Sequence, residues 1–138
     1  MGTRSDKIER LCNAYAVQTM YAFGSRGMEA LRAVKNDAYQ MPASASDLDI
    51  GILPQSPLSV EKKVELGLAL EDIFEVQRVD LNVLQEVDAF LAVNIIRGER
   101  LYAKDDYLAD EYELFVLRRA GDLAEFERQR IAMILQEK

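Results

Sequence analysis

Histidine is absent from this 138-residue chain, and cysteine occurs only once, as Cys12. Without histidine, the chain has neither the Ser-His-Asp nor the Cys-His arrangement of nucleophilic catalysis. Histidine-rich zinc sites are excluded as well, and a single cysteine excludes four-cysteine zinc sites. Any proton transfer must therefore fall to carboxylates, lysine, tyrosine or water. Any bound metal must accept oxygen ligands, which makes Mg²⁺ or Mn²⁺ the leading candidate.

A membrane-spanning run and a secretory leader are also missing from the sequence. No apolar stretch approaches the ~20 residues that a spanning helix needs, and no basic, apolar, small-residue leader opens the chain. The lone Cys12 cannot form an internal disulfide, which fits a reducing compartment. A reactive Cys12 is the alternative, but no histidine is present to activate it. We therefore expect a cytoplasmic protein without a membrane partner.

Basic residues are in the minority: 17 Lys and Arg stand against 24 Asp and Glu, for a net charge of −7. Phosphate backbones need basic surface, so this balance argues against a long nucleic-acid partner. A small nucleotide remains a possible ligand, because a bound metal ion and a few hydrogen-bond donors can neutralise its phosphate charge. The length and the 49% hydrophobic content predict a single globular domain over residues 1–138.

Helix and strand patterns alternate along the chain. Apolar alternation predicts strands at 15–23, 47–53 and 77–84, with a short edge strand at 99–103. Helical spacing predicts helices at 4–14, 27–37, 57–75, 89–97, 107–119 and 123–136. This order predicts an α/β (α+β) fold, a small mixed sheet of three to four strands flanked by helices. The core would span about 15–104, followed by a C-terminal helical segment of about 107–137.

Helix boundaries and faces follow from single residues. We expect Ser5 and Asp88 as N-caps, Pro57 at a first helical position, and Gly121 as a break between the last two helices. The apolar side predicted for the helix at 57–75 comprises Val60, Val64, Leu68, Leu70, Ile73 and Phe74. The residues expected to be buried by the helix at 89–97 are Phe90, Val93, Ile95 and Ile96.

Carboxylates are concentrated on two of the predicted strands. Asp47 and Asp49 are two residues apart, so their side chains point to one side of a strand, where they can chelate a hard cation. Asp80 lies on the next strand between apolar neighbours, where a carboxylate is costly unless it is hydrogen-bonded, paired or metal-bound. The alternative for Asp47 and Asp49 is a solvated strand end, and for Asp80 it is a position facing solvent on the polar face of its strand. The pattern thus favours a metal site without excluding a plain surface.

A Gly24-Ser25 turn follows a buried strand and precedes a helix. Glycine lets the backbone approach a ligand, and a helix N-terminus favours phosphate. A simple tight turn is the alternative, and no Gly-Lys-Ser/Thr follows as it would in a P-loop. Arg26 is the nearest cation that could neutralise phosphate, although a surface ion pair is the commoner role of a single arginine. Other candidate cations are Arg97, Arg100, Lys104, Arg118, Arg119, Arg128 and Arg130.

Together, Gly24-Ser25-Arg26, Ser46-Asp47-Leu48-Asp49 and Val79-Asp80-Leu81 resemble the signature of polymerase-β-type nucleotidyltransferases. The small size, and residues 101–105 followed by helices, resemble the minimal nucleotidyltransferase (MNT) group within that superfamily. The resemblance implies the nucleotidyltransferase fold. It implies that three residues hold the nucleoside triphosphate: Gly24, Ser25 and Arg26. It implies that three others bind Mg²⁺ (or Mn²⁺) and carry the catalysis: Asp47, Asp49 and Asp80.

The reaction implied by the resemblance is transfer of a nucleoside monophosphate, AMP from ATP, to a protein or small acceptor, with pyrophosphate leaving. The implied partner is a helical protein of the HEPN type, with this chain as the antitoxin of a toxin–antitoxin pair. Two other functions stay open. One is a binding module that neutralises a helical partner by contact alone, and the other is a solo transferase that modifies a small molecule. A homo-oligomer is also compatible with the sequence.

One departure from the family pattern lies between Ser25 and Asp47, where 21 residues intervene. This connection is longer than is usual in the family. A longer loop costs little entropy, so the fold itself need not suffer. The added segment leaves two possibilities open, a modified phosphate grip or a lid over it.

Overall fold

The computed structural model describes residues 2–136. The strands of this part of the chain are β1 (Val17–Phe23), β2 (Leu48–Pro54), β3 (Val79–Val83) and β4 (Glu99–Ala103). Its helices are α1 (Arg4–Ala14), α2 (Gly27–Lys35), α3 (Val60–Phe74), α4 (Ala89–Ile96) and α5 (Asp106–Gln136). A short 3₁₀ turn, Gly24–Arg26, joins β1 to α2. The predicted small mixed sheet of three to four strands flanked by helices is confirmed, and it has four strands.

The four strands form one mixed sheet in the order β3-β2-β1-β4. β1 runs antiparallel to both of its neighbours, whereas β2 and β3 are parallel. The two central strands are apolar on both faces, so helices cover the sheet on both sides. As a result, the C-terminal end of β1 and the N-terminal ends of β2 and β3 lie next to one another at the same end of the sheet.

Two clusters of buried side chains fill the space between the sheet and the helices. The first cluster joins one face of the sheet to α1, α2 and α3, and includes Met20, Ile50, Leu66 and Phe74. The second joins the other face to α4 and α5, and includes Tyr21, Leu53, Ala92, Ile95 and Val116. The sheet is therefore the middle layer of three. Within residues 2–136 no helix is long and apolar enough to span a membrane.

Arg4 is a buried charge that joins three helices on the first face of the sheet. Its guanidinium donates to the backbone carbonyls of Ala33 and Ile73, at 3.1 and 3.2 Å, and pairs with Glu75 at 3.2 Å. A buried arginine is tolerated only when its donors are satisfied, and here the exposed carbonyls at the ends of α2 and α3 satisfy them.

The bounds predicted for α1 are confirmed, but its predicted N-cap was wrong by two residues and the predicted start of α3 by three. Thr3, not Ser5, caps α1, because its side chain accepts from the Asp6 N–H in a capping box. α3 begins at Val60 after the N-cap Ser59, rather than at Pro57. The physical reason is the same in both cases: a hydroxyl placed to accept from the N3 amide outweighs other start signals nearby. Asp88 caps α4 as predicted, accepting from two amides.

The face of α3 that packs on the sheet differs from the predicted one in part. Leu66, Leu70 and Phe74 are fully buried, whereas Val64 and Leu68 of the predicted stripe are exposed, as is Val60. Two apolar stripes share this helix, and the position of the sheet decides which is buried. On α4, Phe90 was predicted to be buried but is exposed, while Ile95 and Ile96 are buried as expected.

The predicted break at Gly121 was wrong, because α5 continues as one helix of 31 residues. A glycine inside a helix costs about 1 kcal/mol relative to alanine but does not end it without a left-handed turn. A Cβ at Gly121 would meet nothing within 4 Å, so nothing in the described chain packs against the helix there. The predicted helix end at 137 lies outside the described residues.

Candidate active site

Asp49 and Asp80 lie side by side on the parallel strands β2 and β3. Their Cα atoms are partners in the strand register, and on the other side of Asp49 its partner is Phe23, the last residue of β1. Gly24 follows directly. The sheet therefore brings together two of the predicted carboxylates and the predicted phosphate turn, which are far apart in sequence.

Gly24 is required at this turn for two separate reasons. Its φ is +71°, in the left-handed region that side chains disfavour. A Cβ at this position would also lie only 2.5 Å from Oδ2 of Asp49. The Gly24 backbone thus contacts the Asp49 carboxylate closely, and both Gly24 and Ser25 are exposed to solvent.

The pKa of Asp49 is raised above its ordinary value. Burial is the main cause, the nearby charge of Asp80 and a hydrogen bond with it come next, and the charge of Asp47 adds to them. Both of the other predicted acids therefore act electrostatically on Asp49. Neighbouring carboxylates of this kind are stabilised by a hard cation, and oxygen atoms are the ligands that Mg²⁺ and Mn²⁺ prefer.

Asp47 precedes β2 and is turned toward Arg78, with Oδ1 3.9 Å from Nε. Both side chains are exposed, 41% and 78%, so this ion pair is weak. As the side chains stand, residues 2–136 hold no group of three His, Cys, Asp or Glu residues arranged to bind a metal. The side chains of Asp49 and Asp80 lie close together. For all three acids to bind one cation, the Asp47 carboxylate would have to leave Arg78 and turn toward the other two acids. The donor set still fits a hard divalent cation, because it consists of carboxylate oxygens alone.

Arg78 is a residue of this site that the sequence reasoning missed. The signal that could have found it is its position two residues before Asp80, on the same side of the chain as it enters β3. Its guanidinium is the cation nearest to the carboxylate of Asp47. Arg78 is thus the residue that a metal ion would displace.

Arg26 is placed differently from its predicted role as a nucleotide ligand. The side chain is only 5% exposed. Its guanidinium donates to the carbonyls of Pro42 and Ser46 and to the carboxylate of Glu29. Arg26 therefore fastens the long connection after α2 to the turn after β1, and its guanidinium is engaged by the chain itself rather than turned to a phosphate.

Arg100, another candidate cation, forms an ion-pair network between β4 and α5. It pairs with three acids of the first turns of α5 at 2.7–3.1 Å: Asp106, Asp110 and Glu113. The buried Tyr21 hydroxyl donates to Glu113 as well, at 2.5 Å. The spacing of these acids along one helix face was the signal for this network. Arg128 and Arg130 pair with glutamates of their own helix.

The polymerase beta nucleotidyltransferase family matches residues 6–107. The chain belongs to this family. The matched segment contains the turn at Gly24 and all three candidate carboxylates. The predicted class of enzyme, a nucleotidyltransferase, is confirmed by this membership. A search of curated proteins finds no match.

Several solved structures share the fold of this nucleotidyltransferase. One is a tri-AMPylated Shewanella oneidensis HEPN toxin in complex with MNT antitoxin, with 18% identity, 96% of each chain covered and a TM-score of 0.65. The toxin–antitoxin MntA-HepT has 18% identity, 96% and 97% coverage and a TM-score of 0.65. A toxin–antitoxin with AMP-PNP has 22% identity, 94% coverage of each chain and a TM-score of 0.63. These likenesses confirm the predicted minimal nucleotidyltransferase fold.

Proposed function

We propose that this chain is a Mg²⁺-dependent nucleotidyltransferase that transfers AMP from ATP to a helical HEPN-type protein, as the antitoxin of the pair. The observation that carries the proposal is the contact of Asp49 with both Asp80 and the Gly24 turn. Membership of the family supports the reaction class. The HEPN toxin and the AMP-PNP in structures of the same fold support the partner and the donor.

In this proposal, Asp47, Asp49 and Asp80 hold Mg²⁺ or Mn²⁺. The cation supplies charge stabilisation for the reacting phosphate and for the leaving pyrophosphate. Asp49 is the fixed member of the set, because it lies between β1 and β3 and is partly buried. Asp47 is the adjustable member, since it is exposed and weakly paired.

The turn Gly24–Arg26 would bind the triphosphate through its backbone and the Ser25 hydroxyl. The first amides of a helix have no partner within it, so they are donors available to phosphate oxygens. Glycine at position 24 keeps the space beside Asp49 open, which brings phosphate and carboxylates into one site. Arg26 acts as a positioning residue here, because it holds the turn to the connection after α2.

Asp80 is exposed on the edge strand β3, where an acceptor hydroxyl can reach it. In the transfer, the hydroxyl oxygen forms a bond to the α-phosphorus, and the bond from that phosphorus to the bridging oxygen of pyrophosphate breaks. The hydroxyl proton passes to Asp80 or to water. A tyrosine hydroxyl of a partner protein would be a suitable acceptor.

Intact-mass analysis of a HEPN-type partner tests this function. After incubation with this chain, ATP and Mg²⁺, the partner should gain one or more AMP groups. Asp49→Asn should abolish the gain, while Asp72→Asn, the same change at an exposed acid of α3, should retain it. Protection of the partner by wild type and Asp49→Asn alike, with no adduct in either case, would favour neutralisation by contact instead.

A further inference from the structure

The second half of α5 has no protein packed against it in the described chain. Every residue from 121 to 136 is exposed. Six large apolar side chains there are 43–65% exposed: Leu123, Phe126, Ile131, Met133, Ile134 and Leu135. An exposed apolar surface of this extent on one helix indicates an interaction surface rather than scattered surface residues.

The face of α5 that packs on α4 extends along the same side of the helix into its exposed second half. Val116 packs into the cluster with Ala92 and Ile96 of α4, and Ala120 on the same face is also buried. From these two residues the spacing runs on in alternating steps of three and four, the heptad spacing of a coiled coil. The positions reached are Leu123, Glu127, Arg130 and Ile134, here called the tail stripe.

The tail stripe is complementary in charge and in apolar contacts to a second copy of itself in the antiparallel direction. If a second copy lies antiparallel, centred between residues 128 and 129, Leu123 faces Ile134 of the other copy at both ends. Glu127 then faces the opposite charge of Arg130, twice. A parallel pair would instead place Glu127 against Glu127 and Arg130 against Arg130, which is repulsive. The order of charges therefore selects an antiparallel arrangement and its register, as polar residues at core positions of coiled coils do.

We propose that the tail stripe binds a second copy of this chain as an antiparallel helix pair. In the single chain, Glu127 and Arg130 form an ion pair on the surface of their own helix. In the pair, the same two side chains reach across to the other copy, while Phe126, Ile131 and Met133 widen the apolar contact. The helix is already formed by its attachment to the domain, which lowers the entropy lost on pairing.

The length of the contact sets its strength. Sixteen residues of helix extend about 24 Å, which is a small interface, so we expect dissociation constants of ~1–100 µM. Sedimentation of the full chain over that range should show a species of twice the 15.6 kDa of one chain. A HEPN-type partner is the competing occupant of this surface. A chain that stays monomeric over the whole range overturns the proposal.

Charge reversal provides a matched pair of variants. Arg130→Glu puts like charges opposite Glu127 of the other copy and should weaken dimerisation by roughly tenfold or more. Arg128→Glu makes the same change to an arginine that is also paired with a glutamate of its own helix but lies off the tail stripe. It should leave the dimer intact. Exchanging both charges, as Glu127→Arg with Arg130→Glu, should restore dimerisation, and its failure to do so would contradict the proposed register.

Disulfide cross-linking tests the direction of the pair. A mixture of Leu123→Cys and Ile134→Cys chains should form a cross-linked dimer under mild oxidation, whereas either variant alone should not. Both positions are exposed, so the variants should fold. Cys12 will not interfere, because it is fully buried and burial raises the pKa of its thiol to about 12. Cross-linking of Leu123→Cys with itself would overturn the antiparallel arrangement.

Discussion

Gly24 and Asp49 are in such close contact that a single methyl group on Gly24 would lie 2.5 Å from the Asp49 carboxylate. Gly24 begins the turn after β1 and Asp49 lies on β2, and the two residues belong to different predicted motifs. Their contact means that the backbone of the turn and the charge of the carboxylate share one space. A phosphate bound by the turn and a cation bound by the carboxylate would consequently be neighbours.

We predict that Gly24→Ala loses both activity and stability. The left-handed φ costs about 1–2 kcal/mol for a residue with a Cβ, and the new methyl group must also displace the Asp49 carboxylate. Thermal unfolding and the AMP-transfer assay measure the two losses. Gly67→Ala is the matched control, because a Cβ there, inside α3, meets nothing. It should stabilise the protein by up to about 1 kcal/mol and leave transfer unchanged.

We predict that Asp49→Asn loses AMP transfer without losing thermal stability. Because the folded-state pKa of Asp49 is raised, this residue favours folding when it is protonated, and that contribution is lost as the pH rises through the folded pKa. At neutral pH without metal, the asparagine variant should therefore be at least as stable as wild type, while its AMP transfer is lost. Unfolding curves of both proteins between acidic and neutral pH measure the difference.

Metal addition completes the Asp49 experiment. Mn²⁺ or Mg²⁺ should raise the unfolding temperature of wild type by binding the folded state, and should raise that of Asp49→Asn much less. Ca²⁺-free buffers with a chelator define the baseline. Equal shifts in both proteins would place the cation elsewhere and would count against the carboxylate site.

Arg26→Ala should release the connection between α2 and β2. The guanidinium holds the carbonyls of Pro42 and Ser46, and losing buried hydrogen bonds to a charged group costs about 1–3 kcal/mol. Amide hydrogen exchange should increase over residues 39–46, with little change in the centre of β1. If transfer depends on this connection as a positioning element, the KM for ATP should rise more than kcat falls. Unchanged exchange at 39–46 would contradict the anchoring role.

Arg100→Ala should loosen α5 from the sheet. Three acids of α5 and the Tyr21 hydroxyl converge near this guanidinium, so its removal leaves like charges together at a cost of about 1–3 kcal/mol. Urea denaturation measures the change. Arg128→Ala, which removes an arginine paired only with an acid of its own exposed helix, should be close to neutral. Equal effects from both variants would show that the network at Arg100 adds nothing specific.

The sequence by itself determined the strands, the motifs of the candidate site and the family of this protein. The strands could be predicted because apolar alternation and β-branched residues report directly on burial in a sheet. Asp49 and Asp80 were candidates for one site because an acid on an apolar strand is costly without a partner, and the family resemblance implied that they share it. The turn at Gly24 could be found because a glycine ends a buried strand there.

Only the tertiary structure decided which face of each helix is buried and which groups the charged side chains bind. α3 carries two apolar stripes, and the position of the sheet selected Leu66 and Leu70 over Val64. Arg26 and Arg100 have the same local signal as phosphate-binding arginines, yet Arg26 is bound by Glu29 and two carbonyls of the connection after α2, and Arg100 by three acids of α5. Gly121 stays helical since no packing or left-handed turn interrupts α5 there. These outcomes depend on which segments pack together and which do not, and local periodicity does not encode that.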